Sequence, residues 1–382
     1  MDQVPPKNPS IQEKTLIEDN GVDLISNLPD DILCRILSKL PTKYAVGTSI
    51  LSTRWKPLFS SIPYPCLDFD DTLILQGATG LDSYSDERIN CFVNFVYSVM
   101  DVILKDVPFV YEFRLKCVHD YEDYQIMDWV NAALACHVMR LVLACNMDDP
   151  PCLFESLSGS ASLTYLQLEG SIIDATASFS LPNLKHLVLE DAYCISEDSL
   201  LPLVSGCPEL EDLTMRYTSH GDRDTLTISI PSLKYLIIEY CSNLEVPCTL
   251  ELDTPKLELL FYTDNVAKGF TVKNLSSLQK AHIDFGNYEF LWEGNLSQYY
   301  QNVADLVTGC SSVDSLYMSK PTLTVSSVDY SLILVDLFIL IICKLVCVYD
   351  RSFLKKMASL IIGMLFNSFF MLLAVYCLCF VT

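Results

Sequence analysis

The stretch "LVSGCPELEDLTM", residues 203–215, returns in altered form as "LVTGCSSVDSLYM" at residues 306–318. The two segments align without gaps and share Leu, Val, Gly, Cys, Leu and Met at equivalent positions. Each segment predicts a short helix that ends at the Gly, a buried Cys, and a strand that follows. A helix–strand unit that occurs twice in one chain indicates a repeat architecture.

The strand half of this unit recurs at a narrow period. The pattern apolar-x-x-apolar-x-apolar begins eight times at spacings of 21 to 28 residues, within the range of about 20–29 typical of leucine-rich repeats. The starts are Val110, Val138, Leu163, Leu184, Leu210, Leu233, Leu257 and Leu278, and a ninth follows at Val313. The alternative, an ordinary α/β domain rich in leucine, does not explain the period. The sequence therefore predicts an α/β leucine-rich-repeat solenoid, or horseshoe, over residues 110–320.

In such an array each repeat adds one parallel strand to a concave sheet, and alternate residues face outward. Aromatic groups and carboxylates interleave at these outward positions, which favours a protein-binding surface. The alternative is a solvated face with scattered apolar residues. The predicted substrate-facing residues are Tyr165, Glu169, His186, Glu190, Asp212, Arg216, Tyr235, Glu239, Phe261, His282 and Asp284.

The charge of the chain limits its partners. The net charge is −23, and residues 110–320 carry 30 Asp and Glu against 12 Lys and Arg. Nucleic acid is excluded as a partner because a phosphate backbone requires clustered basic residues. The same balance argues against a polyanionic cofactor, and we expect no cofactor. A basic segment of a protein is the substrate that this charge favours.

The N-terminal stretch "NLPDDILCRILSKLPTKYAVGTSILSTRWKPL", residues 27–58, contains three short helical patterns. Pro29 suits the first position of a helix, and Pro41 ends the first pattern. Thr42 can cap a second helix, and Ser52 or Thr53 can open a third. Three such helices bury too little surface to stand alone. They are either the cap of the array or a docking module that a partner completes.

Residues 23–58 resemble the F-box of plant F-box/leucine-rich-repeat proteins of the FBD type. The match includes the Leu-Pro pairs at 28–29 and 40–41, Ile36-Leu37, Ala45-Val46, the Ser-x-Leu-Ser run at 49–52 and Arg54-Trp55. The resemblance implies docking to the Skp-type adaptor of an SCF ubiquitin ligase, and through it to cullin and RING subunits. The residues that it places against the adaptor are Leu28, Pro29, Ile32, Leu33, Ile36, Leu37, Leu40, Pro41, Val46, Leu51 and Trp55. The net charge of +2 over this segment would suit an acidic partner surface.

The chain divides into five segments by composition. Residues 1–22 are polar and are expected to be a disordered leader, and the F-box covers 23–60. Residues 61–109 predict a strand at Leu67 and Phe69 and a helix from Ser85 to Lys105. No Gly/Ser-rich linker precedes the repeats, so we expect a rigid connection. The repeats of 110–320 are followed by a hydrophobic tail over 321–382.

The tail has two interpretations. Residues 358–381 are 24 uncharged, mostly apolar positions, enough to span a bilayer as a tail anchor with Lys355 and Lys356 in the cytosol. The other interpretation is an erroneous or truncated gene model, and it is favoured by the abrupt change in composition and by the family resemblance, which implies a further leucine-rich ending. The chain is expected in the cytoplasm or nucleus, and on a membrane if the tail is genuine.

No catalytic or metal motif is present in the sequence. The five His residues form no HExxH or zinc-ligand cluster, and no P-loop, dinucleotide fingerprint or nucleophile elbow occurs. Cys136 and His137 are adjacent and would point apart in a helix or strand. The 16 Cys are scattered without a CxxC, which favours a reducing compartment.

The sequence therefore predicts a non-catalytic substrate receptor of an SCF ubiquitin ligase. The rival is a membrane-tethered leucine-rich-repeat scaffold that does not recruit a ligase.

Overall fold

The computed structural model describes residues 25, 27–62, 65–75, 86–105, 107, 109–147, 152–176, 178–194, 200–218, 225–241, 249–264, 267–285, 296–310 and 313–319. The predicted leader over 1–22, the capping residue Ser85 and the tail over 321–382, with its apolar run at 358–381, lie outside these ranges. Within the described ranges, no helix is both long and apolar enough to cross a membrane.

The helices are α1 (Asp30–Leu37), α2 (Thr42–Gly47), α3 (Asp71–Leu75), α4 (Asp86–Ile103), α5 (Asp123–Ala135), α6 (Phe154–Leu157), α7 (Leu200–Ser205) and α8 (Leu296–Gly309). The strands are β1 (Cys66–Asp70), β2 (Glu112–Cys117), β3 (Arg140–Cys145), β4 (Tyr165–Glu169), β5 (Ile172–Ile173), β6 (His186–Glu190), β7 (Tyr193–Cys194), β8 (Asp212–Arg216), β9 (Thr225–Ser229), β10 (Tyr235–Glu239), β11 (Thr249–Asp253), β12 (Leu259–Thr263), β13 (Gly269–Asn274), β14 (Lys280–Asp284) and β15 (Ser315–Met318).

Ten of these strands form one parallel sheet in the order β1-β2-β3-β4-β6-β8-β10-β12-β14-β15. The leucines of the sequence pattern face the core: in β4, Leu166 and Leu168 are fully buried, and the other three residues of the strand are half-buried. Each buried leucine contributes about 1.5–3 kcal/mol relative to an exposed one. Although the spacing varies from 21 to 28 residues, each strand pairs in register with the next, because the buried apolar positions are equivalent in every strand. The predicted α/β repeat solenoid is confirmed.

A left-handed residue closes several strands of this sheet. Gly170, Asp191, Tyr217 and Tyr240 each directly follow a strand and have φ values of 64°, 48°, 48° and 53°. Their backbone N–H groups donate to the last carbonyl of the next strand at 2.8–3.0 Å. At Gly170 a Cβ would lie 2.7 Å from the Cys145 carbonyl oxygen, so only glycine fits there. This corner therefore ties each strand to its successor beyond the regular ladder.

The layer behind the sheet changes along the chain. Helices α4 to α7 cover the earlier repeats, whereas β9, β11 and β13 form a second parallel sheet behind the later ones. The strand β9 reads Thr-Leu-Thr-Ile-Ser, an alternating and β-branched sequence that favours a strand over a helix. The repeats between β8 and β14 are therefore made of two strands each rather than of a strand and a helix, whereas the last repeat has a helix again, α8 before β15.

The F-box segment contains two α-helices rather than three. After α2, residues 48–50 form a 3-10 turn, and residues 51–61 form consecutive turns closed by hydrogen bonds between residues three apart, such as Trp55 N–H to Ser52 C=O at 3.1 Å. The predicted third helix is therefore absent as an α-helix. Pro57 explains the difference, since it lacks an N–H and its ring clashes with the carbonyl of the preceding turn.

The F-box segment packs directly on the first strand of the large sheet. The backbone N–H of Asp68 in β1 donates to Thr42 Oγ1 at 2.7 Å, and Thr42 is fully buried. Lys43 Nζ donates to the Leu73 carbonyl in α3. Phe59 packs against both the F-box core and the large repeat core. These contacts give the direct connection that the absence of a Gly/Ser linker indicated.

A buried carboxylate completes this connection. Asp71, the first residue of α3, is fully buried, and its Oδ2 accepts hydrogen bonds from the backbone N–H groups of Val118 at 2.9 Å and His119 at 3.2 Å. Tyr121 Oη donates to the same oxygen at 3.1 Å, and His119 Nδ1 lies 2.8 Å away. Asp71 thereby fixes the loop after β2 to the helix that follows β1.

We expect Asp71→Asn to lower the free energy of unfolding by about 2–3 kcal/mol, because the neutral amide loses the charge-assisted bonds and buries a donor without an acceptor. Urea unfolding followed by tryptophan fluorescence measures this change. The control Asp101→Asn removes a carboxylate that is 69% exposed and pairs with Lys105, and should cost less than about 0.5 kcal/mol. Equal effects of the two substitutions would contradict the assigned role of Asp71.

Glu211 lies between two lysines at the edge of the sheet where the strands begin. Its carboxylate accepts from Lys234 Nζ at 2.7 Å and from Lys185 Nζ at 3.1 Å. These hydrogen bonds lower the pKa of Glu211 from 4.5 to about 2. Because this folded-state pKa lies below the unfolded value, the stabilisation is complete above pH 4.5 and is lost as the pH falls toward 2.

NMR titration of the Glu211 side-chain carboxyl should give a midpoint well below 4.5. Lys234→Met should move that midpoint upward, because it removes the stronger of the two donors. Lys256→Met removes the same charge at an exposed position and serves as the control. A midpoint near 4.5 in the unsubstituted protein would show that the two lysines do not bind the carboxylate in solution.

Candidate interaction surfaces

The F-box segment has a small core of its own. Its buried members are Leu33, Leu37, Ala45, Trp55, Leu58 and Ile62. Arg54 helps to close this core, since it donates to Asp30 Oδ1 at 2.6 Å and to the Leu28 carbonyl. The turns after α2 are thereby held against the start of α1.

Several large apolar side chains of the same segment remain exposed. Ile50 is 87% exposed, Leu51 64%, Tyr44 51% and Ile36 42%. An exposed group of large apolar residues on a small element is typical of a protein-binding surface. This segment therefore presents one set of apolar residues to its own core and another to solvent.

The structure divides the predicted adaptor-facing residues into three groups. Leu33, Leu37 and Trp55 are buried in the F-box core, so in this conformation they support the surface and cannot touch a partner. Leu28, Ile32, Pro41 and Val46 are half-buried, and Val46 packs against the large core. The exposed members are Pro29, Ile36, Leu40 and Leu51.

Tyr44 and Ile50 were not among the predicted adaptor-facing residues, although they are among the most exposed apolar side chains. Apolar residues at helical spacing define a face of the helix, but the spacing does not tell whether a given residue faces the F-box core or a partner. Ile50 belongs to the 3-10 turn that follows α2, and its side chain therefore points in a different direction from the one that a continued α-helix would give it. The sequence did contain one indication: the family resemblance placed the adjacent Leu51 against the adaptor, so Ile50 could have been expected at the same surface.

The open face of the ten-stranded sheet is the second candidate surface. It consists of the first, third and fifth residues of each strand, which point away from the core. The eleven predicted substrate-facing residues all occupy such positions. Because the strands are in register, residues of successive repeats stand side by side in three rows across the face.

The part of the open face over β1–β3 carries paired charges. Glu112 binds Arg114 at 2.6 Å and Arg140 at 3.0 Å, and Lys116 lies 3.7 Å from Asp70. The Arg140 guanidinium also lies 3.8 Å from the centre of the Tyr165 ring. These residues were not predicted as part of the surface, although the same pattern starts at Val110 and Val138. Their charges cancel locally.

The middle of the open face is acidic, and we call its residues over β4–β10 the acidic zone. It comprises Glu169, Glu190, Asp212, Arg216 and Glu239. Arg216 donates to Glu190 at 2.7 Å and also to Glu239, which raises the pKa of its guanidinium. Asp212 lies 3.5 Å from His186 Nδ1. With one arginine for four carboxylates, the zone keeps an excess of negative charge.

The far end of the open face carries stacked rings, which we call the aromatic ladder. The ring centres of Phe261 and His282 are 4.1 Å apart with 14° between their planes, and those of His282 and Tyr317 are 4.3 Å apart at 19°. Burial between its neighbours lowers the pKa of His282 below its ordinary value of 6.5, so the imidazole is neutral at pH 7. Tyr317, on β15, was not in the predicted set.

Two further tyrosines lie at the edge of this face. Tyr217 and Tyr240 occupy left-handed corners, are exposed, and stack at 5.2 Å with 11° between their rings. A bulky side chain at positive φ is uncommon, and such strain is found mainly at functional sites. This pair was not predicted from the sequence, because it depends on the backbone conformation after each strand.

No group of three or more His, Cys, Asp or Glu able to hold a metal ion occurs among the described residues. Burial raises the pKa of the thiols of Cys145, Cys207 and Cys241 to about 12, so these thiols stay protonated. Cys136 and His137 directly follow helix α5, and His137 has a φ of 52°.

Comparison with known proteins identifies both parts of the chain. The family model for the F-box domain matches residues 25–66, and the model described as FBD-associated F-box protein At5g56370, LRR repeats, matches residues 126–279. Members of F-box/LRR families are typically non-catalytic.

The relatives are plant proteins from Arabidopsis thaliana. F-box/LRR-repeat protein At4g14103 is 34% identical over 315 residues, which cover 79% of this chain and 79% of the relative. F-box/LRR-repeat protein At3g58900 is 32% identical over 329 residues, or 80% of this chain and 96% of the relative. F-box/FBD/LRR-repeat protein At5g22700 is 33% identical over 319 residues, or 80% and 69%. By its repeats, its N-terminal segment and these similarities, the chain belongs to the F-box/LRR-repeat proteins of plants.

Proposed function

We propose that this chain is the substrate-recognition subunit of an SCF-type ubiquitin ligase. Its F-box segment docks a Skp-type adaptor, and through it cullin and RING subunits, while the repeats hold a protein substrate for ubiquitination. The observation that supports this proposal most is the set of exposed apolar side chains on an F-box segment that is fixed rigidly to the repeat array.

The docking surface is centred on Ile50 and Leu51. These side chains are too exposed to stabilise the isolated chain, so their apolar character is best explained by a partner that covers them. The net charge of +2 over residues 23–58 complements an acidic partner surface, in contrast to the rest of the chain.

The open sheet face is the substrate surface in this proposal. It combines the acidic zone with the aromatic ladder, and aromatic side chains are enriched in the centres of protein interfaces. Other subunits of the ligase carry out the transfer of ubiquitin, and this chain holds the substrate in position for it. The proposal places the protein in the cytoplasm or nucleus, where buried thiols such as those of Cys207 and Cys241 stay reduced.

We expect Ile50→Asp to lower co-purification of a Skp-type adaptor by about 10-fold or more, because a carboxylate would be buried at the interface without a partner. Leu28→Ala/Pro29→Ala should weaken it as well. Tyr193→Asp, at an exposed tyrosine on β7 away from the F-box, is the matched control. If the unsubstituted chain never co-purifies with the adaptor, the receptor proposal fails and a scaffold without ligase recruitment replaces it.

Affinity purification under proteasome inhibition should enrich proteins that carry basic segments. Glu169→Lys/Glu190→Lys/Glu239→Lys should release these proteins while the adaptor remains bound, because the charge of the acidic zone is reversed. Glu209→Lys, at an exposed site before β8, is the control. Unchanged capture by the triple variant would show that the acidic zone does not select the substrate.

A further inference from the structure

The open sheet face is divided into zones of different chemistry along the direction in which the strands stack. Over β1–β3 the charges are paired with one another, so this part has little net attraction for a charged partner. The acidic zone follows over β4–β10, and the aromatic ladder over β12–β15. A partner that uses the whole face therefore meets acidic groups first and rings second.

The acidic zone suits guanidinium or ammonium groups. Arg216 lies between Glu190 and Glu239 and satisfies one oxygen of each. With Glu169 and Asp212, the zone holds four carboxylates against one guanidinium, a local excess of three negative charges; the other donors to it, Gln167 to Glu190 and Asn146 to Glu169, are neutral amides. Two adjacent basic residues would balance most of this excess.

The aromatic ladder suits an apolar group instead. Its three rings stand parallel on neighbouring strands, and the central imidazole is neutral at pH 7 because burial lowers its pKa. Lys280 and Asp284, the other outward residues of β14, have opposite charges. Tyr317 is 47% exposed, so a partner can reach the ladder.

The distance between the two zones sets a spacing. Three strand steps separate β8, at the centre of the acidic zone, from β14, at the centre of the ladder. At about 4.8 Å per step and with a shift of about two residues along the strand, the zones are about 15 Å apart. An extended peptide rises about 3.3 Å per residue and covers this distance in four or five residues.

We propose that the open sheet face binds an extended protein segment in which two adjacent basic residues and one aromatic or large apolar residue are four or five positions apart. The segment crosses the strands, with its basic residues on the acidic zone and its apolar residue on the aromatic ladder. This inference deepens the proposed receptor function and rests on it for the identity of the segment as part of a substrate.

The test uses the full chain, prepared with the adaptor, and synthetic 14-residue peptides. Each peptide carries an Arg-Arg pair and one Phe in a Gly/Ser background, with the Phe two to nine positions from the pair and in either order. Fluorescence anisotropy should give the tightest binding at a separation of four or five, by about 10-fold over a separation of two. Affinity that does not depend on the separation would overturn the proposal.

Two variants assign the ends of the peptide. Tyr317→Ser should weaken the best peptide by about 10-fold and leave its Phe→Gly counterpart unchanged, whereas Tyr193→Ser should affect neither. Glu190→Gln/Glu239→Gln should weaken both peptides and reduce their sensitivity to salt. If Tyr317→Ser binds the best peptide as tightly as the unsubstituted chain does, the ladder is not the apolar subsite and the proposal is wrong.

Adaptor co-purification, measured on the same preparations, separates this proposal from the receptor function. Spaced peptide binding without adaptor binding would remove the receptor function and keep the peptide site. Adaptor binding without any preference among the peptides would keep the receptor function and overturn the peptide site.

Discussion

The in-register pairing of parallel strands is the constraint on which the rest of this structure depends. Every repeat places its buried apolar residues, mostly leucines, at the same points of the strand, so the buried side chains of neighbouring repeats meet in layers inside the core. The corner after the strand then donates its N–H to the next strand. Since each repeat buries its apolar face only against its neighbours, the array is stable as a whole and not repeat by repeat.

The same constraint leaves the open face free to vary. A side chain at the first, third or fifth position of a strand contributes little to the core, so its chemistry can differ from one repeat to the next. Register nevertheless determines which of these side chains are neighbours. Arg216 reaches Glu190 and Glu239 because they occupy the last positions of three adjacent strands. The neighbours within the acidic zone and within the aromatic ladder are thus set by the strand register that the core requires.

The F-box segment is stabilised by its contacts with the repeat array. Its small core would be marginal alone, and the contacts of Thr42 and Phe59 with the first strand and the large core give it support. Asp71 then ties that strand's following helix to the next repeat. A surface built on Ile50 is therefore held at a fixed position relative to the repeats, which a receptor requires if it is to present one protein to another.

The sequence by itself determined the repeat spacing, the positions of the strands in the large sheet and eleven of its outward residues, because alternation and spacing are local properties of the chain. It also indicated the F-box through a long run of matching residues. It did not predict the strands of the second sheet, β9, β11 and β13. The tertiary structure alone decided which F-box side chains are internal: Leu33, Leu37 and Trp55 are buried, whereas Ile50 is exposed. It also decided that Phe261, His282 and Tyr317 stack, although 56 residues separate the first from the last. Periodicity identifies apolar residues, but only the packing of distant segments determines which of them meet.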